Sequence, residues 1–343
     1  MTARELKKNL NQILTVLGLS FGLTVAAVGA DFTTTKTLAN QGVAAAQYNL
    51  GLMYLKGIGV QQDPVKAFKS FERAANQGDP DAEYRLGAMY KLGIGTQIDV
   101  ANSNKWIEKS ASKGNVEAQS IIGNIYRHGI GVKKDVNKAA YWIEKAANQG
   151  DIDAQSSIGQ MYSNGEGVSK DDLKAFQWNK KAANQGESIA QYNVGLAYHH
   201  GAGVEQNYSK ALEWYKKAAN QDDTYAQYNL GLMYYEGIGV KQDYSKAYKL
   251  LKTVADKGNP DGQHNLGLMY YEGKGVKQDY NKATSLFRKA ATQGFPPSQY
   301  NLGAAYESGI DIPQDKEQAR HWYKKACENG QQEGCERLKR MRR

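Results

Sequence analysis

Ala226-Gln227-Tyr228-Asn229-Leu230-Gly231-Leu232-Met233-Tyr234-Tyr235-Glu236 is followed by Gly237-Ile238-Gly239-Val240, by Asp243, and by Lys246-Ala247 in a segment that runs on to Gly258. Ala226, Leu230, Met233 and Tyr234 are apolar at helical spacing, so the first stretch reads as a helix with one buried face, helix A. Gly231 lies inside it, where glycine costs about 1 kcal/mol relative to alanine. The same glycine stands at Gly51, Gly87, Gly123, Gly159, Gly195, Gly267 and Gly303, each 36 residues from the next. A residue that weakens helix A and still recurs has a packing role: lacking a Cβ, it lets the following helix B come close. A fixed period between about 20 and 50 residues marks a solenoid, in which each unit buries its apolar face against its neighbours.

The other columns of the repeat agree. Tyr54 through Tyr306 occupy one register position, expected to be a buried ring with a hydrogen-bonded hydroxyl. Gly-x-Gly-Val then ends helix A, because glycine past a helix end adopts the left-handed conformation that satisfies the last carbonyls. It is no nucleotide-binding fingerprint, since no strand candidate precedes it. Asp63, Asp99, Asp135, Asp171, Asn207, Asp243, Asp279 and Asp315 open helix B as N-caps, so these carboxylates are not read as catalytic acids or calcium ligands. All five tryptophans, Trp106, Trp142, Trp178, Trp214 and Trp322, share one helix B column, and Ala-Ala pairs such as Ala182-Ala183 close the helix. The expected fold is all-α: eight 36-residue helix-turn-helix repeats, their antiparallel helices joined by four-residue turns.

The ends differ from the middle. Residues 31–42 match only the second half of a unit and read as an N-terminal half-repeat cap, with the array at 43–330. In 331–343 Lys339 replaces the packing glycine and Arg342 the buried tyrosine, which reads as a capping helix with a charged outer face and favours a monomer. Ahead of the array, a basic stretch ending at Lys8 precedes the nearly uncharged run 13–30, which closes on Val28-Gly29-Ala30. This reads as a signal peptide cleaved after Ala30, hence a periplasmic or secreted protein. A retained membrane anchor is the alternative. The formal charge of +9 is partly concentrated at the two ends, and no basic stripe with stacking aromatics recurs, so nucleic acid is not the expected partner. The only cysteines, Cys327 and Cys335, form a close pair that in an exported chain reads as a disulfide; two packed thiols are the alternative.

The run Ala-x-x-Gln-Tyr-Asn-Leu-Gly-x-Met-Tyr-x-x-Gly-x-Gly-Val resembles the Sel1-like repeat family, relatives of the tetratricopeptide repeats. Departures are small: Asn102-Ser103 replaces Lys-Ala, Thr96 replaces the valine, and Ile310-Asp311-Ile312 replaces the eighth Gly-x-Gly. The cysteine pair is similar to those of the cysteine-rich Sel1 proteins of Helicobacter, though it occurs once. The resemblance implies a right-handed α/α superhelix acting as an exported bacterial adaptor for protein partners.

Two helix A columns vary while the core columns hold. One runs Leu55, Lys91, Arg127, Ser163, His199, Tyr235, Tyr271, Glu307; its neighbour runs Lys56, Leu92, His128, Asn164, His200, Glu236, Glu272, Ser308. A third, upstream, contains Tyr84, Tyr192 and Tyr228, which either face a groove or pack between units. The candidate partner-binding residues are therefore Tyr84, Lys91, Arg127, Tyr192, His199, Tyr228, Tyr235 and Tyr271, tyrosine and arginine being favoured interface anchors. The expected function is a non-enzymatic scaffold that binds a peptide or protein in the helix A groove, with no cofactor and no metal.

The alternative is a hydrolase, because some cysteine-rich relatives carry a β-lactamase or penicillin-binding label and Ser110-Ala111-Ser112-Lys113 spells Ser-x-x-Lys. No Ser-Asp-Asn or Lys-Thr-Gly accompanies it. The adjacent His199 and His200 point in different directions from a helix, and no cysteine or carboxylate completes a metal set.

Overall fold

The computed structural model describes residues 31–310 and 312–341. The expected signal peptide (residues 1–30), Asp311, Arg342 and Arg343 lie outside the described residues. Among these there are 18 α-helices and no strand, in the order the repeat demands. The chain divides into two units, the first ending at Asp135 and the second starting at Val136.

The first unit contains α1 (Phe32–Asn40), α2 (Ala44–Lys56), α3 (Pro64–Asn76), α4 (Pro80–Leu92), α5 (Val100–Ser112) and α6 (Val116–His128). The second contains α7 (Val136–Asn148), α8 (Ile152–Asn164), α9 (Asp172–Asn184), α10 (Ser188–His200), α11 (Tyr208–Ala219), α12 (Thr224–Glu236), α13 (Tyr244–Asp256), α14 (Pro260–Glu272), α15 (Tyr280–Thr292), α16 (Pro296–Ser308), α17 (Lys316–Glu328) and α18 (Gln332–Arg340). Within each unit every helix packs against the one before and the one after it. The all-α repeat architecture expected from the 36-residue period is the one observed.

The spaced glycines are wedged where helix A meets helix B. A Cβ on Gly87 would stand 2.6 Å from Ile107, and one on Gly195 would stand 2.6 Å from the Tyr215 ring. The turns follow the capping reading. Gly57 and Gly237 end α2 and α12 in the left-handed region (φ +73° and +77°), and the side chains of Asp63 and Asp243 accept from the backbone N–H of Lys66 and Lys246.

Two motif residues acquire a reason. The glutamine of Ala-x-x-Gln is buried and joins neighbouring repeats: Nε2 of Gln47 donates to the Ala39 carbonyl (3.1 Å), and its Oε1 accepts from Gln77 (2.7 Å). The recurring tyrosine holds the next turn, the Tyr54 carbonyl accepting from Asp63 N–H (2.9 Å) and the Tyr162 carbonyl from Asp171 N–H (3.0 Å). The hydroxyl partner varies. Tyr126 and Tyr162 donate to Glu108 and Glu144, whereas the Tyr270 hydroxyl meets that of Tyr248. Trp178 and Trp214 are buried, each capped by a lysine ammonium, Lys181 at 3.8 Å and Lys217 at 3.9 Å from the ring centroid.

Cys327 on α17 and Cys335 on α18 form a disulfide, with Cα atoms 4.6 Å apart. A bridge closing so short a loop contributes roughly 2–3 kcal/mol in the loop-entropy account. A Cys327→Ser/Cys335→Ser variant is expected to lose hydrogen-exchange protection in α18 while α14 to α16 keep theirs; uniform protection throughout would show that the bridge pins nothing.

Candidate functional site

The A helices leave one face uncovered by helix B. In the second unit that face opens into two cavities at equivalent places in the repeat. One, of about 340 Å³, lies among α8, α9 and α10 and is lined by Gln160, Asn179, Asn193, Leu196 and His200. The other, of about 520 Å³, lies among α14, α15, α16 and α18, with Leu268, Phe287 and Tyr300 lining it and Tyr271 and Arg337 beside them. Recurrence in the same register follows from the repeat itself. Whatever points outward from helix A in one unit has a counterpart 36 residues on.

Tyrosines dominate this face. Tyr192 and Tyr228 are half-buried, and their hydroxyls accept from the side-chain amides of Asn229 (3.4 Å) and Asn265 (3.0 Å) on the following A helix. Burial pushes both phenols up, so they remain neutral donors and acceptors at physiological pH. These upstream tyrosines thus do both things considered from sequence: they tie successive A helices together and keep part of the ring uncovered. Tyr225 extends the surface, 63% exposed with its ring centroid 5.9 Å from that of Tyr192.

Tyr235 sits in a polar clamp. Its hydroxyl donates to Glu272 Oε2 (2.7 Å) and accepts from Lys274 Nζ (3.1 Å), and Lys274 pairs with Glu272 at 2.7 Å. The lysine holds the Glu272 carboxyl below its ordinary range, while burial and then the carboxylate push the Tyr235 phenol up. Tyr271 is the freer ring, 49% exposed and in edge contact with Tyr280 at 5.2 Å. His199 packs edge-on against Tyr208 (5.2 Å), and burial followed by the neighbouring His200 lowers its pKa. Among the described residues no group of three or more His, Cys, Asp or Glu side chains could hold a metal ion.

The candidate residues are divided between the two units. Lys91 and Arg127 belong to the first unit, and Tyr192, His199, Tyr228, Tyr235 and Tyr271 to the second. Tyr84 is a correction: it is only 5% exposed, because the first unit packs its ring inward, and it offers a partner nothing. Sequence reasoning passed over Asn193, Asn229, Asn265 and Asn301, together with Leu196, Leu232 and Leu268. All are half-buried on helix A and occupy two columns of the open face. A signal was present, since the asparagine of Asn-Leu-Gly recurs although it lies off the apolar stripe.

A Sel1 repeat profile matches eight consecutive windows, 44–79, 80–115, 116–151, 152–187, 188–223, 224–259, 260–295 and 296–331. The chain belongs to the Sel1 repeat family. Solved structures agree. A Sel1 repeat protein from Oxalobacter formigenes is 33% identical with a TM-score of 0.68, the alignment covering 96% of this chain and 93% of that one. The c5321 protein, a protective antigen present in uropathogenic Escherichia coli strains and displaying an SLR fold, is 37% identical with a TM-score of 0.76, covering 90% of this chain and 67% of that one. No curated protein matches. Sel1 repeat proteins are generally protein-interaction scaffolds.

The second Sel1 repeat also accounts for Ser110 and Lys113. Ser110 is fully buried and its Oγ donates to the Pro80 carbonyl (2.6 Å). Lys113 Nζ donates to the Gly78 carbonyl (2.8 Å) and pairs with the fully buried Glu83 (2.7 Å). Glu83 and Lys113 stand where other repeats place the bridging glutamines, so the pair continues the inter-repeat tie in charged form.

Proposed function

We propose that this protein is an exported, non-enzymatic scaffold whose second unit binds an extended peptide segment of a protein partner along the open face of α10, α12 and α14. The observation that carries this reading is the pair of exposed rings, Tyr225 and Tyr271, on a face that also holds half-buried tyrosines, side-chain amides and the cavity of about 520 Å³ beside Tyr271. Large aromatic rings lose little conformational freedom on binding and provide most of the energy at interface centres. Amides beside them, such as Asn193 and Asn301, can pair with an extended backbone, which needs partners for both N–H and C=O.

Export is supported by the Cys327–Cys335 disulfide, which is compatible with an oxidising compartment, and by the leader's composition. No described helix is long and apolar enough to cross a membrane. A hydrolytic role finds no support at Ser110 and Lys113, whose polar atoms are committed to Pro80, Gly78 and Glu83.

The test is capture of the partner by wild-type protein and by a Tyr225→Ala/Tyr271→Ala variant with an unchanged thermal melt. Loss of two aromatic anchors is expected to weaken binding at least thirtyfold, since truncation of a hot-spot residue costs about 2 kcal/mol or more. Equal capture by the folded variant would sink the reading.

A further inference from the structure

Tyr215 on α11 is fully buried, and its hydroxyl has no hydrogen-bond partner among the described residues. The same holds for the buried Nδ1 of His199 on α10, whose ring centroid lies 6.2 Å from that of Tyr215. A buried polar atom without a partner is costly to the fold, and two side by side ask for one explanation.

The repeat register supplies it. Tyr215 occupies the helix B column of Asn179 and Phe287, which line the two cavities of the second unit. His199 occupies the helix A column of Ser163 and Tyr271, which line the same two cavities. Tyr215 and His199 therefore stand at the floor and wall of the equivalent step between α10 and α12. The other polar members of the floor column are satisfied. Asn179 donates to the Ala175 carbonyl (3.0 Å) and accepts from Asn193 (3.3 Å), and Tyr323 donates to Glu307 (2.6 Å). Glu307 is the counterpart of His199 in the eighth repeat. The floor hydroxyl at that position thus reaches the wall residue, and in the fifth repeat the wall residue is an imidazole that leaves it unpaired.

We propose that Tyr215 and His199 form a polar subsite for a side-chain amide, asparagine or glutamine, of the extended peptide bound by this face. The inference rests on the peptide-binding reading above and names what that peptide must carry. Burial, and then the neighbouring His200, lower the His199 pKa, so the ring is neutral at physiological pH and accepts at Nδ1 when Nε2 holds the proton. Tyr215 donates. A primary amide offers an acceptor oxygen to the one and an N–H to the other, whereas a lysine ammonium has no acceptor. A carboxylate is disfavoured by Glu236, which is exposed on α12 in the wall column of His200 and Ser308. Leu196 and Leu232, both half-buried, take the methylene groups of the incoming side chain. Gln206 holds the His199 carbonyl (2.8 Å), so the half-buried ring can pivot to admit the amide while its backbone stays fixed.

The experiment selects twelve-residue peptides from a phage-displayed random library on the full wild-type chain and measures the selected peptides by fluorescence anisotropy. They are expected to share an asparagine or glutamine at one aligned position. Replacing it with leucine should cost at least about tenfold on wild type, the worth of hydrogen bonds to previously unpaired groups, and less than about twofold on Tyr215→Phe. Tyr215→Phe alone should melt at or above the wild-type temperature, because it removes only an unpaired hydroxyl. Tyr323→Phe, which removes a hydroxyl bonded to Glu307, should melt lower. No selected peptide, a carboxylate or hydroxyl residue at the shared position, an equal leucine penalty in both proteins, or a lowered melt of Tyr215→Phe would each overturn the proposal. Tyr225→Ala/Tyr271→Ala separates the two readings. Peptides that ignore those rings but keep the coupling to Tyr215 support the subsite and sink the wider reading; peptides that need the rings and lack the coupling do the reverse.

Discussion

Replacing Gly203 with alanine is expected to destabilise the fourth and fifth repeats by about 3 kcal/mol or more. Gly203 is the second glycine of the turn after α10, at φ +69°, and an added Cβ would lie 2.0 Å from the carbonyl oxygen of Asp172 at the start of α9. Both contributions oppose alanine: the left-handed conformation costs about 1–2 kcal/mol and overpacking about 1–3 kcal/mol more. A flexible side chain could move aside, but the clashing atom is backbone in the first turn of a helix, so α9 or the turn itself must shift. Gly186, at φ +97° with nothing within 4 Å of its Cβ position, separates the two effects. Gly186→Ala should lose only the conformational part. Hydrogen exchange in α9 and α10, with urea denaturation of the full chain, reads the difference; equal losses in the two variants would show that the turn does not press on the preceding repeat.

Acidification from pH 6.5 to 4 is expected to cost the second unit about 3 kcal/mol through His264 alone. Nδ1 of His264 lies 2.8 Å from Ser298 Oγ, with the Phe287 and Phe295 rings 5.7 and 5.2 Å away, and burial lowers its pKa from 6.5 to about 4. The native state therefore stays neutral over a range in which the unfolded chain binds a proton. The sign follows: the contribution is complete above pH 6.5, falls by about 1.4 kcal/mol per unit on the way down, and levels off below pH 4. Carboxylates titrate in the same range, so the comparison must be internal. Two repeats earlier the corresponding pair is Tyr192 and Ala226. A His264→Tyr/Ser298→Ala variant restores that pairing and should lose the extra slope in denaturation midpoints measured from pH 7 to 4. Parallel curves for the two proteins would rule the assignment out.

These expectations mark where sequence reading stopped. The periodic Gly231 column was legible as a wedge, because a helix-weakening residue repeated without exception has few other uses, and the contacts of Gly87 and Gly195 bear that out. The turn glycines were read only as helix ends. Their second member, seen in Gly203, also presses on the helix B of the preceding repeat, which no pattern within one repeat reveals. Tyr84 and Tyr192 show the same limit. They share a column, yet one is buried and the other half-buried, since exposure depends on the size of neighbours supplied by adjacent helices. Ser110-x-x-Lys113 needed coordinates to be assigned to Pro80 and Glu83.

The amino-acid sequence alone determined the helical repeat, its period, the caps and the inward columns. Those depend on local propensity and on an apolar spacing that eight copies of one pattern make unmistakable. Only the tertiary structure decided which residues meet between repeats: the glutamine ties and the clamp of Tyr235 by Glu272 and Lys274. Such groupings join residues 30 or more positions apart, and their geometry is set by how closely two helices approach, a distance that no single repeat encodes.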